Sequence, residues 1–244
     1  MPEGPSIFIL KEEASPFIGK KVLSVDGNSK LDIQRLKGEK ITDIKTWGKQ
    51  FLICFKGFTV RIHLLLFGSY RINEEKEGRV PRLSLHFKNG ELNFYACSVK
   101  FIEGNINDAY DWSGDVLSDA WDPAKAKQKL LDQPETLVCD ALLDQDIFAG
   151  VGNIIKNEEL WRIQMHPLSQ VGALPKNKLD ELIYEARNYS FDFLKWKRIY
   201  ELRKHYQVHT KKICPRDGAK LLLKKLGKRN RRTFYCEVCQ VLYE

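Results

Sequence analysis

After a short helical start, hydrophobic periodicity is β-like and then helical, and that second change divides the chain. From about residue 20 to residue 106 the apolar residues fall in short β-like runs: Lys40–Ile44, Phe51–Phe55, Thr59–His63, Ser69–Ile72, Leu83–Phe87 and Glu91–Tyr95. Glycine or Asn-Gly punctuates several of them, and Asn89-Gly90 between two runs is a hairpin signal. So many short strands close together predict a sandwich or a barrel. A stretch rich in Gly, Asp, Ser and Pro, Trp112–Pro123, reads as a linker. Beyond it the period is helical, with candidate helices at Ala124–Leu131, Thr136–Leu142, Asn153–Trp161 and Lys176–Lys197. One further helix is expected ahead of the strands, over residues 5–18, with Ile7, Leu10, Ala14, Phe17 and Ile18 on one face.

Charge is as uneven as period. The 244 residues carry a net charge of +8. Residues 195–232 alone hold 15 Lys or Arg against Glu201 and Asp217. A basic surface gathered at one end favours a polyanionic partner. A solubilising tail is the alternative, but Trp196, Tyr200, Tyr206, Phe234 and Tyr235 interrupt the charges as in a folded segment. No apolar run approaches the ~18 residues of a membrane span. The start, Met1-Pro2-Glu3-Gly4-Pro5, lacks the pattern of a secretory signal. A cytoplasmic protein with no membrane partner is therefore expected, nucleoid-associated if the source is bacterial.

Three of the six cysteines, Cys54, Cys97 and Cys139, lie singly in apolar segments and read as small buried hydrophobes. The other three do not. Cys236-Glu-Val-Cys239 has the spacing of a metal knuckle, and Cys214-Pro-Arg-Asp217 looks like its facing knuckle with Asp in place of a second Cys. A short segment with a small core needs a staple, and one structural zinc would supply it. Asp217 has the right spacing for the fourth ligand, while His209 is chemically the commoner one. A zinc-free hairpin with leftover thiols is the alternative.

Two more features carry chemistry. If Met1 is removed, Pro2 presents a secondary amine whose attack on a sugar C1′ gives an iminium ion directly, an electron sink for later elimination. Glu3 stands beside it as a possible general acid. The same residues could merely start a helix, as Pro in a first turn often does. Between two helical patterns lies Asp144-Gln-Asp-Ile-Phe-Ala-Gly-Val-Gly-Asn153. Gly150 and Gly152 permit close backbone approach, and a helix start with Asn153 can bind phosphate. An ordinary interhelical turn is the alternative.

Together these features resemble the formamidopyrimidine-DNA glycosylase/endonuclease VIII family, on its endonuclease VIII-like branch, over almost the whole chain. Met1-Pro2-Glu3-Gly4-Pro5 looks like the endonuclease VIII start, and Trp47-Gly48-Lys49-Gln50 like the family's Gly-Lys segment. Gln145 to Asn153 is similar to its helix–two-turn–helix signature. Arg231-Arg-Thr-Phe-Tyr-Cys236 with Cys239-Gln240 looks like its zinc-finger end. Two departures stand out: Ser6 replaces the family's usual Glu, and one zinc thiolate is missing.

The resemblance implies an α+β multidomain chain. Residues 1–115 would form an N-terminal helix plus β-sandwich catalytic domain. Residues 116–210 would form a helical domain with the helix–two-turn–helix, and 211–244 a zinc-finger hairpin that binds DNA. It implies a bifunctional DNA glycosylase and AP lyase of base-excision repair, acting on damaged double-stranded DNA with β,δ-elimination. Pro2 would be the nucleophile, Glu3 the proton shuttle, Lys49 the phosphate contact that assists elimination, and Glu158 a carboxylate supporting the site. His63, Asn153 and Arg231 would hold DNA phosphates. Leu65, Leu66 and Phe67, at the end of a strand, would fill the hole left by an extruded base, unless they are simply core. The stretch Cys97-Ser-Val-Lys-Phe101 lacks the void-filling Arg of the purine-type branch, which favours oxidised pyrimidines. A monomer is expected, because one protein clasping one lesion needs no symmetry partner. The competing functions are a non-catalytic binder of damaged or branched DNA on the same scaffold, and an RNA-associated protein. Intact Pro2, Glu3 and Lys49 argue against the first, and the second would leave the N-terminal Pro-Glu pair without a purpose.

Overall fold

The computed structural model describes residues 2–244, so the expected removal of Met1 lies outside the described residues. The chain divides into two compact units, Met1–Asp111 and Trp112–Glu244. The first begins with helix α1 (Gly4–Ala14) and continues through strands β1 (Ser24–Asp26), β2 (Asp43–Trp47), β3 (Gln50–Phe55), β4 (Phe58–His63), β5 (Ser69–Ile72), β6 (Leu83–Phe87), β7 (Gly90–Tyr95) and β8 (Ser98–Glu103) to a short helix α2 (Ile106–Ala109).

The strands form two antiparallel four-stranded sheets, β1-β6-β7-β5 and β2-β3-β4-β8. Both contribute to one apolar core. Ile44, Phe51, Ile53, Val60 and Ile62 come from one sheet and Val25, Leu83, Leu85, Leu92 and Phe94 from the other. The Phe51 and Phe94 rings meet between them at 5.7 Å. Of the two expected architectures, this is the sandwich. Helix α1 starts with Pro5 in its first turn, where a missing N–H and a fixed φ are tolerated. It buries Ile7, Leu10 and Ala14 and packs on β2 and β3.

The second unit contains α3 (Pro123–Leu131), α4 (Val138–Ala141), α5 (Asn153–Arg162), α6 (Lys176–Arg198) and the hairpin β9 (Leu222–Leu226) and β10 (Arg231–Tyr235). Asp122 caps α3 by accepting hydrogen bonds from the backbone N–H groups of Ala124 and Lys125. In α6 the buried residues Leu179, Leu182, Ile183, Ala186, Phe193 and Leu194 form the stripe expected from their spacing. No described helix is long and apolar enough to cross a membrane.

Two local expectations are corrected and one strand is added. The run Lys40–Ile44 is not a strand as a whole: β2 starts at Asp43, and Lys40 makes only an isolated bridge to Lys21. The helix expected over Thr136–Leu142 shrinks to α4, because Leu137 is extended and bridges to Gln170. Strand β8 was not foreseen, since Ser98–Glu103 buries neither face fully and carries no clean alternation.

Candidate nucleic-acid interface and metal centre

In the first unit, Pro2 is half-buried and Glu3 is buried at the N-cap position of α1. Lys49 lies in the two-residue turn between β2 and β3, whose register pairs Trp47 with Gln50. The next pairing, Gln50 with His63, brings the end of β4 beside that turn. Burial lowers the His63 pKa, and the charges of Lys49 and Arg61 lower it further. His63 Nδ1 accepts the backbone N–H of Leu65 at 3.1 Å. That assigns a neutral ring with its proton on Nε2, so the ring can donate outward.

The chain then turns sharply from one sheet to the other. Leu64 is buried, but Leu65, Leu66 and Phe67 are exposed, Phe67 to 88%. They are therefore not core. The turn is held by the N–H of Gly68 donating to the carbonyl of Leu64 at 2.7 Å. A Cβ at position 68 would stand 2.1 Å from that oxygen, so only glycine closes this turn. Leu65 itself is left-handed, at φ 53°. Three apolar side chains are thus presented to solvent at a cost in both backbone strain and exposure.

In the second unit the glycine turn is stapled by Gln145. Its amide donates to the carbonyls of Leu143 and Val151, both at 3.1 Å, and its Oε1 accepts the N–H of Gly150. The turn feeds α5, which starts at Asn153 with Gly152 as an N-cap that has no side-chain cap. Four polar side chains on α5 hold later segments. Asn153 donates to the carbonyl of Arg232 at 2.7 Å, and Lys156 Nζ to Thr233 Oγ1 at 2.8 Å. Asn157 pairs with His209 Nδ1 at 3.1 Å. Glu158 accepts the backbone N–H groups of Gln207, Val208 and His209 at 2.8, 3.0 and 2.6 Å. Burial raises the pKa of Glu158, while the three N–H groups pull it back down. Arg231 opens β10, paired across the hairpin with Leu226.

In the cysteine module it is Asp217, not His209, that lies with the three thiols. Cys214, Asp217, Cys236 and Cys239 bring one ligand atom each to within 4.8 Å of one another. Cys236 Sγ lies 3.1 Å from Asp217 Oδ2, and Cys214 Sγ 3.8 Å from Cys239 Sγ. His209 is elsewhere, bound to Asn157 and packed edge-on against Phe234. Three sulfurs and one carboxylate in that compass suit a tetrahedral cation of borderline softness. The cluster closes a small core of Val208, Leu221 and Phe234. Cys54, Cys97 and Cys139 are buried and apart, as their settings implied.

Two family models match in the same order. Residues 1–101 match the formamidopyrimidine-DNA glycosylase N-terminal domain, and residues 113–189 match the formamidopyrimidine-DNA glycosylase H2TH domain. The chain belongs to the formamidopyrimidine-DNA glycosylase/endonuclease VIII family. It is 30% identical to endonuclease 8-like 3 of Xenopus laevis over 90% of this chain, but it spans only 38% of that protein's length. It is 29% identical to endonuclease 8-like 2 of Bos taurus over 98% of this chain and 96% of the relative. The fold matches a Lactococcus lactis formamidopyrimidine-DNA glycosylase, solved bound to DNA containing an abasic site. The TM-score is 0.86 and the identity 22%, over 98% of this chain and 99% of that one.

Set on the family's frame, Pro2, Glu3, Lys49, His63 and the 65–67 loop fall within the first matched domain. Asn153 and Glu158 fall within the second, and the cysteine module follows both. Sequence reasoning missed two positioning residues. Lys156 is fully buried, where a lysine almost never lies unpaired. Asp140 is buried in the apolar run Leu137–Leu143 and holds the tip of the β9–β10 hairpin. A lone acid inside such a run was the available signal.

Proposed function

We propose that this chain is a bifunctional DNA glycosylase and AP lyase that removes oxidised bases, pyrimidines in preference, from double-stranded DNA. It would act as a cytoplasmic monomer. The observation that carries the reading is Pro2-Glu3 heading a helix packed on the two strands whose turn holds Lys49, inside the matched family domain.

The chemistry balances on this chain's own groups. With Met1 gone, the neutral Pro2 nitrogen attacks C1′ of the damaged nucleotide as the bond to the base breaks, and the proton the nitrogen then sheds goes to the departing base. Glu3 supplies a proton to the ring oxygen as the sugar opens, leaving an iminium ion at C1′. Loss of a C2′ proton then expels the 3′-phosphate, and a second elimination expels the 5′-phosphate. Water releases the amine. Lys49 neutralises charge on a departing phosphate, and neutral His63 donates from Nε2 to another. Asn153 and Arg231 hold the strand, and Glu158 supports the site by fixing residues 207–209. Leu65, Leu66 and Phe67 fill the space vacated by the base; three fillers in one loop, with no Arg in residues 97–101, favour pyrimidine lesions. The Cys214/Asp217/Cys236/Cys239 cluster would hold a structural zinc that fixes the hairpin carrying Arg231.

Borohydride trapping tests the reading. Met1-processed protein is incubated with duplex containing an oxidised pyrimidine or an abasic site. A covalent adduct that disappears when Met1 is retained is expected. Absence of adduct on both duplexes would favour a non-catalytic DNA binder.

A further inference from the structure

Helix α6 ends in a feature that stability does not explain. The N–H of Glu201 donates back to the carbonyl of Trp196 at 2.9 Å, and the N–H of Tyr200 to the carbonyl of Lys197 at 3.1 Å. This double closure is the Schellman ending, and it requires a left-handed residue at Tyr200, which has φ 59°. Glycine fills that position at no steric cost; a tyrosine is strained there. The ring gains no burial in return, being 94% exposed, the most open large apolar side chain described. The flanking segment is firm: the Trp196 and His205 rings stack at 4.2 Å and 4°.

The adjoining sequence is cationic and largely exposed. Residues 195–204 contain Lys195, Lys197, Arg198, Arg203 and Lys204 against the single acid Glu201, which pairs with Lys204. Lys195, Lys197 and Arg203 meet no carboxylate among the described residues. Cations in the last turn of a helix complement its dipole, which accounts for Lys195, Lys197 and Arg198. It accounts neither for Arg203 beyond the helix nor for Tyr200.

We propose that Tyr200 is a stacking platform for an unpaired base, with Lys195, Lys197 and Arg203 drawing in the flanking phosphates of a single-stranded DNA segment. An exposed planar ring among uncompensated cations is the combination that binds single strands without sequence preference. An acidic protein surface would use the charges but leave the ring idle. The inference rests on the DNA-directed reading above, but it concerns a surface outside the residues assigned to catalysis.

The test compares the full chain with Tyr200→Gly and Tyr200→Phe, using anisotropy of a labelled oligothymidylate at one fixed salt concentration. Tyr200→Gly should weaken binding roughly tenfold. The same variant should raise Tm, because it relieves the left-handed strain; a ring needed for folding would lower it. Tyr200→Phe should bind within about twofold of the wild type. Unchanged affinity in Tyr200→Gly overturns the proposal, and so does a Tyr200-dependent preference for polyglutamate over the oligonucleotide. Borohydride trapping on an abasic duplex is run on the same wild-type preparation. No adduct there would count against the glycosylase reading alone, whereas a normal adduct with unchanged Tyr200→Gly affinity would count against the platform alone.

Discussion

The carboxylate of Asp140 accepts the backbone N–H of Lys228 at 2.8 Å, across 88 residues of chain, and so ties the tip of the β9–β10 hairpin to α4. Gly227 makes the approach possible. It has φ 72°, and a Cβ there would lie 2.5 Å from an Asp140 oxygen. Asp140→Ala should therefore cost about 1–3 kcal/mol of stability, the usual worth of hydrogen bonds accepted by a charged group. Gly227→Ala should destabilise as well, through clash and strain together. Urea unfolding measures both, and Asp140→Asn, which keeps an acceptor, should fall between Asp140→Ala and wild type.

Glu159 predicts a pH dependence. Both its carboxylate oxygens are buried without a hydrogen-bond partner. Burial pushes its pKa well above the usual carboxylate range, with Glu185 adding to the shift and Arg162 opposing it. The folded chain thus holds a proton that the unfolded chain releases above about pH 4.3. This group favours folding least at high pH: the stability it leaves intact in acid is lost as pH rises from the unfolded value toward the folded one. Glu159→Gln should raise Tm at pH 8 and change it little at pH 4. A Tm gain independent of pH would contradict this.

The 65–67 loop separates function from stability. Because Phe67 is 88% exposed, Phe67→Ala should leave Tm within about a degree, as surface substitutions do. Leu66→Ala and Phe67→Ala should nevertheless lose activity on a lesion in duplex and much less on the same lesion in a single strand, where no stack has to be refilled. Equal losses on both substrates would remove the wedge role.

Metal content discriminates between Asp217 and His209. Zinc-loaded protein should hold about one equivalent, and Asp217→Ala should lose most of it, as removing a ligand does. His209→Ala should keep it. Elemental analysis after dialysis decides, and a chelator should lower the Tm of the wild type. Retained stoichiometry in Asp217→Ala would move the fourth ligand elsewhere.

Much of the fold was legible because period and punctuation are local. Ser69–Ile72 and Leu83–Phe87 are strands with the bounds their pattern suggested, and α6 departs from its expected span by one residue. The short β8 was not legible, because its neighbours rather than its own side chains make it a strand. The metal cluster was half legible: spacing marked the four positions, but only the fold could turn His209 toward Asn157. Of the α5 anchors, Asn153 and Glu158 were marked by the motif, but Lys156 and Asn157 were not legible, since they find their partners 77 and 52 residues away.

Those anchors bear on how the protein is made. Helix α5 emerges from the ribosome with a lysine and a glutamate on faces that end up buried, yet Glu158 takes its backbone hydrogen bonds from residues 207–209 and Lys156 donates to Thr233, all far downstream. Until then, packing the helix would strand both charges in an apolar interior. The helical unit must wait for nearly its whole length to be synthesised before it can close, whereas the sandwich, whose pairings are finished by residue 103, is free to form well ahead of it. A ribosome stalled between those two points would display a finished β domain trailing an unclosed, chaperone-dependent chain.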